Sequence, residues 1–247
     1  MADGAPSLAG WPSPCLGVDE VHVWRIPLDH ERDAASDRRG AIARAAQTRS
    51  QARAGLLRIL AHYAGMPADA LSFDVDALGK PCLRHAGAPS YNLSHTRGLA
   101  LVAVSAGAAV GVDVEQLRPL ADADALAQRF LSPAESAAVL EVAPAGRGAA
   151  FLRTWTRKEA VLKASGHGLA LDTRDIEVGS GPADRLVAID HDAGTRRYRV
   201  VSLSIDPGWA AALAVAEERV APGAPPPLVH CFDLAAAAAA SSCGSTA

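Results

Sequence analysis

The stretch Trp155-Thr-Arg-Lys158-Glu159-Ala-Val-Leu-Lys163-Ala-Ser-Gly166-His-Gly168-Leu169 leaves the chain least choice. Leu152, Arg153, Lys158, Glu159, Ala160, Leu162 and Lys163 are good helix formers and two glycines follow them. The spacing therefore predicts a helix of at least three turns that stops near Gly166. Glu159 and Lys163 stand four residues apart on one face, and Trp155 lies one turn before Glu159 on the same side. Taken alone, this is either a surface ion pair or a carboxylate and an amine held beside a large aromatic.

A second acidic cluster lies upstream. Gly111-Val112-Asp113-Val114-Glu115 predicts a strand with Asp113 and Glu115 on one face and Val112 and Val114 on the other. Two carboxylates on one rigid face repel each other unless a cation sits between them. Oxygen ligands of this kind suit a hard divalent ion such as Mg²⁺. The same pattern also describes the polar face of an amphipathic strand, and the segment by itself leaves both readings open.

Composition narrows the class. A chain of 247 residues has room for one large domain or two small ones. It is 49% hydrophobic and 21% charged, with no apolar run long enough to span a bilayer, so no membrane partner is expected. A net charge of −3 gives no reason to expect nucleic acid. Met1 to Pro14 lacks the basic start and apolar core of a signal peptide. Cys15, Cys82, Cys231 and Cys243 are isolated, which argues against a zinc site or a disulfide framework and suits a reducing cytoplasm.

Taken in order, residues 1–17 are rich in Pro, Gly, Ala and Ser and read as a loose lead-in. Val21 to Ile26 alternates as a first strand. A helix over Ala41 to Gly65 buries Leu56, Leu57, Ile59, Leu60 and Tyr63, with Arg44, Arg49, Arg53 and Arg58 on a solvated face. After a short strand over Leu71 to Val75, Gly79-Lys80-Pro81 turns the chain and holds Lys80 on a defined corner. That lysine is either a simple turn residue or a point charge for a phosphate. Asn92-Leu93-Ser94-His95-Thr96 sets small polar groups beside an imidazole, which alone reads as structural. Leu99 to Val104 and Ala109 to Glu115 predict a hairpin across Ser105-Ala-Gly107.

A helix over Ala121 to Phe130 comes next. Another opens at Ser132-Pro133-Ala134-Glu135, a capping box with proline at its first position, and Ala143 to Gly148 breaks the chain before the long helix. Ile176 to Val178, Leu186 to Ile189, Tyr198 to Ile205 and Trp209 to Ala216 alternate as antiparallel strands, with turns at Gly179 to Pro182 and Asp192 to Gly194. Residues 217–247, with three consecutive prolines and an alanine run, read as a flexible tail.

Together, Gly111-Val-Asp113-Val-Glu115 and Trp155-x-x-Lys158-Glu159-Ala-x-x-Lys163-x-x-Gly166-x-Gly168-Leu169 resemble the paired signature of the 4′-phosphopantetheinyl transferases, of the large monomeric, surfactin synthetase-activating type. Gly79-Lys80-Pro81, Asn92 to Thr96, Arg129 to Glu135 and Asp206-Pro207-Gly208 resemble further blocks of that family in the family's order, so the likeness spans roughly residues 49–216. It implies an α+β, pseudo-dimeric fold of two similar halves, each a small antiparallel sheet packed against helices. The halves would span 18–108 and 109–216, with 1–17 and 217–247 as flexible termini.

The resemblance implies an enzyme acting in polyketide or nonribosomal peptide biosynthesis. It would transfer the phosphopantetheine arm of coenzyme A to a serine of an apo acyl or peptidyl carrier protein, with Mg²⁺, releasing adenosine 3′,5′-bisphosphate. Asp113, Glu115 and Glu159 would hold the metal, and Lys163 would neutralise the α-phosphate or the leaving group. Arg49, Lys80, Ser94 and His95 would hold the nucleotide phosphates, with Ser50 a weaker candidate. Either Glu159 or a metal-bound water would take the serine proton. Trp155 and Lys158 would pack and orient. The chain would be a cytoplasmic monomer. Lysines that bind the 3′-phosphate in relatives have no counterpart that aligns among Arg32, Arg38, Arg39 and Arg44, so that contact is unassigned. Two other readings of the same residues are a non-catalytic coenzyme A-binding or carrier-docking module and a Mg²⁺-dependent coenzyme A pyrophosphohydrolase.

Overall fold

A computed structural model describes residues 11–13, 15–29, 38–85, 87–168, 171–191, 194–217 and 227–237. Its first elements are β1 (Glu20–Pro27), α1 (Arg38–Ala64), β2 (Phe73–Val75), β3 (Pro81–Leu83), β4 (Ser90–Thr96) and β5 (Leu99–Ser105). Then come β6 (Val110–Gln116), α2 (Ala123–Phe130), α3 (Pro133–Glu141) and α4 (Pro144–Ser165). The chain closes with β7 (Arg185–His191), β8 (Gly194–Ser202), β9 (Trp209–Ala216) and β10 (Leu228–Asp233). These elements form an α+β chain of two compact units. One takes its described residues from those up to 76, from 81–107 and from 227–237; the other takes 77–80 and 108–217.

The first unit carries a four-stranded sheet in the order β10-β1-β5-β4 and a separate β2–β3 hairpin. Strand β5, Leu-Ala-Leu-Val-Ala-Val-Ser, is buried along its whole length, as a central strand must be. It pairs antiparallel with β1 on one side and β4 on the other. The hairpin expected between β5 and β6 does not form. Both edges of β5 are already taken, and β6 pairs with β9 in the other sheet. Helix α1 contributes Ala52, Leu56, Ile59 and Leu60 to the core around Trp24.

Both ends expected to be loose contribute to this core within the described residues. Trp11 lies 4.7 Å from the Trp24 ring and Leu16 packs nearby. Residues 228–233, read as tail, form β10, which runs parallel to β1 and gives the otherwise antiparallel sheet one parallel edge. What docks the strand is apolar: Phe232 stands 5.1 Å from Trp24, and Leu234 and Ala237 are buried in the same cluster. The rest of the predicted lead-in and tail, residues 1–10, 14, 218–226 and 238–247, lies outside the described residues, as does the predicted turn residue Asp192.

The second unit carries an antiparallel sheet in the order β6-β9-β8-β7, with α4 on one face. The α4 face of β6 is the one bearing Gly111, Asp113 and Glu115, which pair across to Ala214, Ala212 and Ala210. Gly111 sets how closely helix and sheet approach. A Cβ placed there would fall 2.1 Å from the carbonyl oxygen of Ala160 and 2.4 Å from the amide nitrogen of Ala164. The break expected over Ala143 to Gly148 is instead the first turn of α4. Pro144 opens it, needing no amide donor at that position.

A buried ion pair ties α3, α4 and the following loop together. Ser132 and Glu135 form the expected capping box, and the Glu135 carboxylate also meets the Lys158 ammonium at 2.6 Å, with both side chains almost fully buried. The same carboxylate accepts from the backbone amides of Val178 at 2.7 Å and Gly179 at 3.0 Å. Lys158 donates onward to the carbonyls of Thr173 and Ile176. The segment Ile176 to Val178, expected as a strand, is therefore irregular backbone, because side chains satisfy its polar groups where a neighbouring strand would otherwise do so. Burial alone would raise the Glu135 pKa, but the hydrogen bond and charge of Lys158 and the amides around it hold it below the usual carboxylate range.

Removing one partner leaves the other buried and unpaired, so Glu135→Leu and Lys158→Met should each cost about 3–5 kcal/mol in urea unfolding. In the double variant the two costs should fall short of additivity by about 2–3 kcal/mol. Additive costs would mean the pair is not coupled.

Candidate active site

Lys158 fixes the rotation of α4, and through it the direction of its neighbours. Glu159 sits one residue further on, about 100° around the axis, and Lys163 follows one turn later on the same face. That face meets β6. The Lys163 ammonium lies 2.7 Å from Asp113 Oδ1 and 3.3 Å from the Val112 carbonyl oxygen. Lys163 thus makes a tertiary ion pair, helix to strand, in which Asp113 is 8% exposed and Lys163 27%.

Asp113, Glu115 and Glu159 lie within electrostatic reach of one another. Burial first, and then the Asp113 charge, push the Glu115 pKa above the usual carboxylate value; Arg118, 3.4 Å from its Oε2, and Lys163 oppose this. Glu159 is raised for the same reasons, burial first and then Asp113, with Lys163 opposing and Glu115 adding to the rise. Two carboxyl groups held above their usual pKa beside a third acidic side chain form a site that wants positive charge. Among the described residues no three His, Cys, Asp or Glu side chains are gathered tightly enough to grip a metal ion as they stand. By donor chemistry, oxygen only and negatively charged, the trio fits a hard divalent cation.

The remaining predicted residues are placed as follows. Lys80 belongs to the second unit and donates to the backbone carbonyls of Val110 and Lys163, each at 2.9 Å. Arg49 and Ser50 are exposed on α1 in the first unit. Ser94 and His95 are adjacent on β4, paired with Leu101 and Ala100, so they project to opposite faces of the sheet: Ser94 is buried and His95 exposed. Trp155 lies 6.0 Å from the Phe151 ring, nearly parallel to it, and 5.3 Å from Phe130. It packs, as does Lys158. Gly166 ends α4 at a φ of 79°. Sequence reasoning passed over Arg118, whose only signal was its position three residues after Glu115.

Comparison with known proteins places this geometry. A family model described as the 4′-phosphopantetheinyl transferase superfamily matches residues 109–214, the span that holds β6 and α4. The 4′-phosphopantetheinyl transferase HetI of Nostoc sp. is 38% identical over 189 residues, covering 70% of this chain and 79% of HetI. The 4′-phosphopantetheinyl transferase psf-1 of Bacillus pumilus is 30% identical over 158 residues, covering 62% of this chain and 65% of its own. A solved holo-[acyl-carrier-protein] synthase of Thermotoga maritima overlays on 46% of this chain and 66% of its own, at 27% identity and a TM-score of 0.36, too partial a match to bear on the fold. By the match of its acidic strand and helix to the family and the extent of its identity to HetI, this chain belongs to the 4′-phosphopantetheinyl transferase superfamily.

Proposed function

We propose that this chain transfers the 4′-phosphopantetheine arm of coenzyme A to a serine hydroxyl of an apo acyl or peptidyl carrier protein, with Mg²⁺, releasing adenosine 3′,5′-bisphosphate. The observation that carries the reading is the Asp113, Glu115 and Glu159 trio laced by Lys163, in a chain of this family. The names of its relatives support the transferase class.

Asp113, Glu115 and Glu159 would hold Mg²⁺, which when bound supplies positive charge to a pyrophosphate. Lys163 is the protein's own cation at this place, and its ammonium stabilises charge that builds as the phosphate bond breaks. Glu159 receives the serine proton. Its raised pKa makes it a stronger base than an ordinary carboxylate. Arg49, Ser94 and His95 hold the nucleotide phosphates on this reading. Among the described residues no helix is long and apolar enough to cross a membrane. Cys15, Cys82 and Cys231 are exposed free thiols, which supports a reducing cytoplasm as the working compartment. Monomeric action completes the proposal.

Intact-mass spectrometry of an apo carrier incubated with the chain, coenzyme A and Mg²⁺ tests the function. One phosphopantetheinyl group should be added, and Asp113→Ala should lower kcat/KM by at least about 10²-fold while keeping the fold. Release of free phosphopantetheine with an unmodified carrier would instead identify a hydrolase, and coenzyme A binding without either product a binding module.

The raised pKa values also fix the sign of a stability effect. Folded Glu115 and Glu159 hold protons more tightly than in the unfolded chain, so stability is gained as pH falls through their raised values toward the ordinary carboxylate value, and is lost as pH rises again. Glu135, with a depressed value, weakens the fold only below that window. In metal-free buffer the contribution of Glu115 and Glu159 should therefore rise as pH is lowered from about 7 toward about 5, while His22 and His62, whose burial lowers their pKa, contribute less over the same range. The carboxyl effect is isolated as a difference: Glu159→Gln should have a higher Tm than the wild type at neutral pH, by a margin that narrows as pH falls, and a margin independent of pH would show that burial and repulsion do not act on Glu159.

A further inference from the structure

We propose that Lys80 is a positioning residue for the acidic site, sealing the outer edge of β6 onto the end of α4, and not a ligand of coenzyme A phosphate. The inference rests on the transferase reading above.

Strand β6 is an edge strand, so alternate carbonyls along it point away from β9. Two of them, at Val110 and Val112, are taken by lysine ammoniums: Lys80 at 2.9 Å and Lys163 at 3.3 Å. Helix α4 poses a matching problem at its end. The Lys163 carbonyl lies in the last turn, where the backbone donor four residues on would be His167; that amide turns instead to Ser165 Oγ, at 3.4 Å. Lys80 supplies a donor to the Lys163 carbonyl at 2.9 Å, placing a cation at the negative end of the helix.

A closed circuit results. Lys80 holds the backbone of Lys163, whose side chain holds Asp113, and Lys80 also holds Val110, three residues before Asp113 on the same strand. The position of Asp113 relative to Glu159 and Lys163 along α4 is thereby fixed from both ends. One further contact and one backbone angle set Lys80 itself. Leu78, two residues earlier, packs over Gly166 so closely that a Cβ there would meet its Cδ1 at 3.0 Å, and Gly79 takes a φ of 83°. The turn that resembles a phosphate-binding corner is shaped to deliver an ammonium to two carbonyl oxygens.

The test is Lys80→Met, which keeps the stem and removes the donors; Lys80→Gln takes its place should the methionine variant not fold. Steady-state kinetics with coenzyme A and an apo carrier should show kcat lowered about 10–100-fold and KM for coenzyme A changed by less than about threefold, because misplaced groups slow chemistry without loosening the substrate. Amide hydrogen exchange of the substrate-free variant should be faster by about tenfold or more at residues 111–113 and at the last turn of α4, with other strands unchanged. A KM raised more than about tenfold with kcat preserved would make Lys80 a phosphate ligand and overturn the proposal. Unchanged exchange at those residues would overturn it as well. If the wild-type chain modifies no carrier, the transferase reading fails by itself, and the exchange measurement still decides the role of Lys80.

Discussion

The ion pair of Glu135 with Lys158 is the constraint on which the second unit depends. Two charges withdrawn from water are costly, and this pair is tolerable because nearly every lone pair and proton has a partner: amides of Ser132, Val178 and Gly179 on the acid, carbonyls of Thr173 and Ile176 on the amine. The geometry that satisfies those partners is narrow. It fixes the start of α3, the course of the loop after α4, and the rotation of α4 about its own axis. Neighbouring Arg157, also buried, reinforces the same loop by donating to the carbonyls of Val178 and Ala183.

Rotation matters because the chemical groups are next door. With Lys158 pointing at α3, Glu159 and Lys163 have one direction left, toward β6, where small residues let the elements approach: Gly111, Ala212 and Ala214 on the sheet, Ala160 and Ala164 on the helix. Lys158 of the structural pair and Glu159 of the acidic trio thus sit side by side on one helix, in opposite electrostatic surroundings. Glu135 is fully compensated and held ionised. Glu115 and Glu159 are left short of positive charge, and a site in that condition is stabilised by whatever cation arrives.

Much of this was legible in the sequence, and the reasons it was not always so are physical. The period-two pattern of Asp113 and Glu115 and the four-residue spacing of Glu159 and Lys163 are local, and both elements form as read. The capping box at Ser132 was equally local; that its glutamate has a second use, as partner of Lys158, depends on a contact 23 positions away that no spacing announces. Lys163 turned from its helical neighbour to Asp113, a choice made by packing. Lys80 shows the opposite hazard: its turn was legible, but the carbonyls of Val110 and Lys163 to which it donates are backbone groups that a list of side chains does not display. Strand β10 was missed because six residues, only partly apolar, are flanked by proline and alanine runs, and its identity as a strand is conferred by Trp24 and the β1 edge it meets.

That last strand bears on the order in which the molecule can be completed during synthesis. The second unit's described residues are all present once residue 217 has left the ribosome, and its four strands and helices then have every partner they use. The first unit begins earlier but finishes later. Strand β1 keeps one edge waiting until residues 228–233 emerge about two hundred positions afterwards. Until then β1 presents an unpaired row of backbone donors and acceptors, and Trp24 lacks the Phe232 ring against it. The nascent chain therefore holds an open sheet edge until residues 228–233 emerge, a window in which a chaperone or a neighbouring nascent chain competes for the place that β10 will take.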